Sequence, residues 1–151
     1  MSTERKPVAF GDMRNWMKAL KSAGELREID AEVDWDVELG TVTRMNQGPG
    51  TGPALLSNNI QDYNKNTTRC GQVYAGGLGS YRRVAMMMGL PPVTHPRELV
   101  KIGRTINEGR IPPRIVKEGP RKANIVASTD QDLAAIPGPT WSPQGGTASR
   151  R

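Results

Sequence analysis

The chain has 151 residues, a formal net charge of +6 and one cysteine, Cys70. This length is typical of a single domain, and one cysteine excludes both an intramolecular disulfide and a four-cysteine zinc site. No apolar run approaches the roughly 18 residues of a membrane span and none follows the charged N-terminus, so we expect a soluble, cytoplasmic protein without a signal peptide.

The first predicted element is an amphipathic helix over residues 12–23. Asp12 is placed to cap its start and Gly24 to end it. Its apolar residues recur at helical spacing: Met13, Trp16, Met17 and Leu20.

A short strand is predicted next, over residues 25–29, followed by an extended acidic segment. The pattern then predicts a short helix over residues 37–45, with Asp36 as its N-cap. The turn-rich residues 46–52 end this helix.

Two short apolar runs, residues 54–57 and 72–75, predict strands on either side of a polar loop, 58–69. A glycine turn at residues 76–80 leads into a helix over 81–88, and a further helix is predicted over 96–106. This alternation indicates an α/β fold of α+β layers, a mixed sheet with flanking helices. Because only 36% of the residues are hydrophobic, we expect a thin core.

The last forty residues differ in character from the rest. Residues 111–116 and 123–127 predict two short strands, and Pro137, Pro139 and Pro143 exclude a helix after them. We expect this tail to be poorly packed in the isolated chain, because its strands lack partners.

The glycine turn is the first candidate site, since a strand, a glycine-rich turn and a helix start can together bind a phosphate. Arg82 occupies the position where the dinucleotide-binding fingerprint has its third glycine, and no P-loop lysine is present. The structural interpretation is that the glycines permit a tight turn, Ser80 caps the helix, and Arg82 and Arg83 lie on a solvated face.

An acidic row is the second candidate, for a metal site or a catalytic carboxylate pair. Its members occupy every second position and would share one face of a strand: Asp30, Glu32, Asp34, Asp36 and Glu38. A row this polar favours a solvated edge, because acid/base catalysis requires the raised pKa that burial brings.

The remaining candidates are isolated residues. His95 has no second histidine, so neither a metal site nor a pair with Cys70 is indicated. The run Met86, Met87 and Met88 is interpreted as core filling. Trp141 is expected to dock on a surface that this chain does not supply.

The basic excess is concentrated late in the chain. It raises the hypothesis of an acidic partner or nucleic acid, yet aromatic residues do not alternate with the basic ones as in single-strand binders. Nucleic acid is therefore the less favoured partner. The residues concerned are Arg110, Arg114, Lys117, Arg121, Lys122, Arg150 and Arg151.

Several short motifs, taken in order, resemble the N-terminal portion of UbiD-like decarboxylases. The resemblance covers roughly residues 12–146, and only the ordered set is specific. The motifs are Met13-Arg14-Asn15-Trp16, Gly24-Glu25-Leu26, Glu38-Leu39-Gly40, Gly52-Pro53-Ala54-Leu55-Leu56, Gly77-Leu78-Gly79-Ser80, Gly89-Leu90-Pro91, Pro112-Pro113, Gly119-Pro120, Asp132-Leu133, Ile136-Pro137 and Pro139-Thr140-Trp141.

This resemblance implies a reversible, non-oxidative decarboxylation of aromatic or unsaturated acids, with prenylated FMN, a divalent metal (Mn or Mg) and potassium. It also implies an N-terminal α/β domain over residues 1–110 and the truncated start of a split β-barrel cofactor domain over residues 111–151. The family's catalytic glutamates and arginine lie beyond this portion. We therefore expect no catalytic, cofactor-binding or metal-binding residue here and no cofactor bound by this chain alone.

Two functions remain open at this stage. The first is an inactive fragment or small subunit with a structural role, joined to the remainder of a UbiD-like enzyme, to another subunit or to further copies of itself. The second is an accessory subunit that binds an acidic protein or nucleic acid through its basic C-terminal half. No membrane partner is expected.

Overall fold

The computed structural model describes residues 10–48, 50, 52–63, 71–109, 112–119, 125 and 138–143. Within these ranges four helices accompany a mixed three-stranded sheet, which confirms the predicted α/β class. The elements are α1 (Met13–Ser22), β1 (Leu26–Ile29), α2 (Glu38–Gln47), β2 (Ala54–Ser57), β3 (Val73–Ala75), α3 (Tyr81–Met87) and α4 (Pro96–Glu108).

The sheet has the order β1-β2-β3. Strand β1 is parallel to β2, with Leu26 opposite Ala54, and α2 forms the crossover between them. Strand β3 is antiparallel to β2, with Leu55 opposite Ala75. Because β2 is central, it is almost entirely buried, which explains its uninterrupted apolar sequence.

Local capping explains where three of the helices begin. Asp12 accepts a hydrogen bond from the Asn15 amide at 2.8 Å, and Ser80 accepts one from the Arg83 amide at 3.3 Å, as predicted. His95, to which the sequence assigned no role, caps α4: its Nδ1 accepts from the Arg97 amide at 3.2 Å. This hydrogen bond gives His95 a structural role at the start of α4.

The predicted cap of α2 is wrong. Val37, not Asp36, occupies the N-cap position, with a positive φ of 67° and no side-chain cap. The Glu38 carboxylate instead accepts from the Asp34 amide at 2.7 Å, and Asp34 accepts from the Asp36 amide at 2.8 Å. Because the helix begins at Glu38, one residue later than predicted, Asp36 lies before the cap position.

The core consists of three small clusters, in keeping with the low hydrophobic content. The first cluster contains Val33, Leu39, Ile60 and Tyr63. The second contains Trp16, Leu20 and Ala54. The third, between α3 and α4, contains Ala85, Leu90 and Leu99. The polar loop predicted at residues 58–69 is therefore wrong at Ile60 and Tyr63, which are buried. Residues 64–69 lie outside the described ranges.

The predicted tail strands are not seen where the structure describes them. Residues 112–116 carry no regular structure, and Ile115 is 96% exposed. Of the second predicted strand only Ile125 is described, and it too is exposed. Ile115, Val116 and Ile125 thus lie outside any sheet of the described chain.

A later part of the tail does return to the domain, contrary to the expectation of a poorly packed tail. The Thr140 amide donates to the Trp35 carbonyl at 3.0 Å, and the Val37 amide donates to the Thr140 carbonyl at 3.0 Å. Thr140 also forms a parallel bridge with Asp36. Residues 138–143 are thus anchored beside the start of α2 by backbone hydrogen bonds.

Candidate functional site

The glycine turn is packed against the side chain of Gln47. Gly76 has a positive φ of 71°, which favours glycine, and a Cβ added at Gly76 or Gly79 would collide with the Gln47 amide. The following helix, α3, has only seven residues. The turn therefore serves close packing of α2 against the β3–α3 connection, and its geometry gives a phosphate site no support.

Beside this turn lies an ion pair that the sequence prediction missed. Arg83 is completely buried, and its Nη1 contacts Glu25 Oε2 at 2.8 Å. Its Nη2 donates to Gln47 Oε1 at 3.2 Å, whereas its Nε is buried without a hydrogen-bond partner among the described residues. The expectation of a solvated face is wrong for this arginine.

Arg82 behaves as predicted, because its side chain is 51% exposed. Its Nε contacts the other oxygen of the same carboxylate, Glu25 Oε1, at 2.8 Å. One carboxylate thus joins a buried and an exposed arginine, and no spacing rule in the sequence indicates which of the two is buried.

A mainly apolar pocket of about 450 Å³ lies on the other side of the glycine turn. It is bounded by the start of α1, strand β3, the turn and the end of α3. Its lining residues are Phe10, Gly11, Asp12, Met13, Trp16, Tyr74, Gly77, Leu78 and Met87. Phe10 and Trp16 meet edge to face, with ring centroids 4.7 Å apart. The sequence predicted Trp16 only as one of the apolar residues of the first helix. It did not predict Phe10, whose one distinguishing feature is that it is the single phenylalanine of the chain.

The Tyr74 hydroxyl is buried in the pocket wall, close to Gly77, and makes no well-formed hydrogen bond within the described residues. Burial raises the pKa of this phenol above its usual value of 10.0. A weak hydrogen bond from the Trp16 indole and the charge of Arg83 lower the pKa by smaller amounts. The hydroxyl is therefore neutral at physiological pH and carries an unmet desolvation penalty.

Tyr74→Phe is expected to leave the stability unchanged or raise it by up to about 1 kcal/mol, because removing a buried polar group without a partner removes its desolvation cost. The measurement is the free energy of unfolding in urea. Tyr63→Phe is the control, because it removes the same hydroxyl from a buried tyrosine in a different core cluster. A clear loss of stability in Tyr74→Phe would show that the hydroxyl has a partner.

The acidic row does not form the strand face that its spacing predicts. Asp30, Glu32, Asp36 and Glu38 are exposed, and Asp34 is partly exposed. Several of them bind neighbouring backbone or amide groups; Asp30, for example, accepts from Asn58 at 2.7 Å. In the described part of the chain, no three histidine, cysteine or acidic side chains are grouped so that they could hold a metal ion.

The other isolated candidates have different outcomes. Met86 and Met88 pack against core clusters as predicted, whereas Met87 is 53% exposed at the pocket rim. Trp141 is also exposed, and its docking on a surface from elsewhere stays a prediction. Cys70 lies outside the described residues.

The described lining of this pocket does not fit a phosphate-bearing flavin or its metal. Among the described lining residues Asp12 is the only one with a charged side chain, so they offer no cation to a phosphate group. We assign none of these residues to a cofactor. Within the described ranges, moreover, each helix is too short or too polar to cross a membrane.

Comparison with known proteins gives a consistent family of matches. The family model described as the 3-octaprenyl-4-hydroxybenzoate carboxy-lyase N-terminal domain matches residues 17–102, more than half of the chain. The chain is 30% identical over 139 residues to pyrrole-2-carboxylic acid decarboxylase of Pseudomonas aeruginosa, covering 89% of this chain and 28% of that protein. It is 29% identical over 137 residues to ferulic acid decarboxylase 1 of Candida dubliniensis, covering 83% of this chain and 27% of that protein.

Among solved structures, the chain is similar to the apo form of a 3,4-dihydroxybenzoic acid decarboxylase from Enterobacter cloacae. The TM-score is 0.71 at 24% identity, and the match covers 91% of this chain and 29% of that one. This likeness supports the fold. The chain thus spans between a quarter and a third of the length of each of these three proteins.

Proposed function

Since the chain belongs to the family of 3-octaprenyl-4-hydroxybenzoate carboxy-lyase N-terminal domains, the UbiD family, we propose that it is the N-terminal domain or small subunit of a decarboxylase acting on aromatic or unsaturated carboxylic acids. The observation that carries this proposal is the family match at residues 17–102. The named relatives are decarboxylases of pyrrole-2-carboxylic and ferulic acids.

We propose further that this chain has a structural and assembly role. The buried Arg83 is engaged in packing: with Glu25 it joins α3 to the start of β1. The rest of the enzyme, or another subunit, then supplies the catalytic residues and holds prenylated FMN, the divalent metal and potassium. Residues 1–110 form the N-terminal domain in this scheme, and residues 111–151 begin the cofactor domain.

The anchored segment 138–143 supports this scheme. Thr140 pairs with Trp35 and Val37, so a chain continuing beyond residue 143 would leave the domain from a defined point beside α2. Trp141, 53% exposed next to that point, is available to pack on the following domain. A cytoplasmic location belongs to the same proposal.

The test is an assay of carbon dioxide release from an aromatic acid by the purified chain, supplied with prenylated FMN, manganese and potassium. No turnover is expected from the chain alone, and a complete UbiD-family enzyme under the same conditions is the positive control. Turnover by the chain alone would overturn the structural role. The downstream DNA, read in all three frames, then separates two cases. UbiD-like sequence that continues there indicates a truncated or shifted reading frame, and its absence indicates an independent subunit.

The second candidate function is an accessory subunit that contacts an acidic protein through its basic C-terminal half. The exposed segment 112–118, which includes Arg114, is the observation that favours it. Binding that depends on such charges weakens steeply with added salt. If an acidic partner were pulled down and its binding did not weaken with added salt, that result would count against this candidate. Nucleic acid stays the less favoured ligand.

A further inference from the structure

We propose that the pocket bounded by Phe10, Trp16, Tyr74, Leu78 and Met87 binds a small, uncharged aromatic molecule. Its volume of about 450 Å³ lies within the roughly 300–1,000 Å³ of small-molecule sites, which are concave and mostly apolar. This proposal rests on the pocket's own geometry and does not depend on decarboxylase activity.

Two aromatic residues of the pocket lining are held in place by core packing. Trp16 is only 7% exposed and packs with Leu20 and Ala54 in one of the core clusters, while Phe10 meets its ring at 4.7 Å. Two aromatic rings at an angle of 65° form adjoining walls rather than a flat surface. A planar ligand can contact one ring by stacking and the other by an edge contact.

The rim, in contrast, is exposed and adaptable. Met13, Leu78 and Met87 are 58%, 50% and 53% exposed, although each is a large apolar side chain. Exposed apolar side chains grouped around a concavity mark binding surfaces, and methionine adjusts its flexible thioether to different ligand shapes. A ligand seated in the pocket would remove these side chains from water.

The charge of the lining determines which aromatic molecules fit. Among the described lining residues Asp12 is the only charged one, and its Oδ1 accepts from the Asn15 amide at 2.8 Å. The helix cap holds this carboxylate in place beside the cavity. A ligand carboxylate would face a like charge there, so the pocket favours an uncharged aromatic over the corresponding acid.

The test uses the full chain and a matched pair of two-ring probes, 2-naphthol and 2-naphthoate, followed by ¹H–¹⁵N NMR. We expect 2-naphthol to shift the indole N–H resonance of Trp16 while those of Trp35 and Trp141 stay in place. We expect 2-naphthoate to bind at least about tenfold more weakly, which is a difference in binding free energy of about 1.4 kcal/mol or more. If 2-naphthol left the Trp16 resonance unmoved, or if both probes bound equally, the proposal would be wrong.

Variants separate the pocket from nonspecific binding. Asp12→Asn keeps an N-capping side chain and is expected to bring the affinity for 2-naphthoate to within about threefold of that for 2-naphthol, a gap of less than about 0.7 kcal/mol.

Met87→Trp fills the cavity and should abolish binding, whereas Val93→Trp, at a site 87% exposed and outside the lining, should bind like the wild type. Equal binding by the two tryptophan variants would overturn the proposal. The proposal would also be overturned if the wild-type chain self-associated without binding 2-naphthol and Met87→Trp abolished that self-association. A second copy of the chain would then cover the pocket.

Discussion

Glu25→Leu is expected to lower the free energy of unfolding by about 3–5 kcal/mol, because it leaves the guanidinium of Arg83 buried without its counter-ion. Arg83 is fully buried, its Nε already lacks a partner in the described part of the chain, and Gln47 alone cannot neutralise the charge. Small domains are typically stable by about 5–15 kcal/mol, so this change removes a large share of the total. Urea unfolding followed by circular dichroism measures the loss.

The matched control is Glu28→Leu, the same substitution in strand β1. Glu28 pairs with Lys21 at 2.8 Å, but both side chains are substantially exposed, so we expect a loss below about 1 kcal/mol. The double variant Glu25→Leu with Arg83→Met should recover most of the lost stability, since apolar residues often replace a buried ion pair without net cost. Equal losses in the two single variants would show that burial of Arg83 does not determine the effect.

Gly40→Ala is expected to destabilise the protein by about 1–3 kcal/mol and to release residues 138–143 from α2. A Cβ at residue 40 would lie 2.6 Å from the Trp141 carbonyl oxygen and 2.8 Å from its Cα. These are backbone atoms, so they cannot turn aside as a flexible side chain would. Hydrogen exchange should show that the Thr140 amide, which donates to Trp35, loses its protection.

Gly103→Ala provides the control for helix propensity. Gly103 lies within α4, and the nearest atom to an added Cβ is Met88 Cε at 3.8 Å, an ordinary contact. Replacing a helical glycine by alanine usually stabilises by about 0.5–1 kcal/mol, so the two substitutions should have opposite signs. If Gly40→Ala were also stabilising, with Thr140 still protected, the tail would not depend on close approach to α2.

The sequence predicted the elements whose signals are local. Helix α1 begins after Asp12 and is followed by Gly24, and α3 begins after Ser80, because caps and helical periodicity act over one or two turns. Strand β2 was predicted at its observed bounds, since a central strand is apolar throughout. The ordered motifs also predicted the family, which the match at residues 17–102 confirms.

The candidate site was not predictable in the same way. Phe10, Tyr74 and Leu78 come from three separate segments, and no periodic pattern relates an N-terminal aromatic to a strand and a glycine turn. Ile60 and Tyr63 were assigned to a polar loop because their neighbours are polar, yet both are buried with Val33 and Leu39. Hydrophobic periodicity cannot reveal a core cluster formed by short irregular segments.

By itself, then, the sequence determined the α/β class, the principal helices and central strand, and the family, because each depends on neighbouring residues or on ordered local motifs. Only the tertiary structure decided that Arg83 is buried while Arg82 is not, and that Thr140 returns to Trp35. Glu25 and Arg83 are 58 positions apart. Burial and charge pairing between such distant positions depend on how the helices pack on the sheet, and local propensity contains no information about that packing.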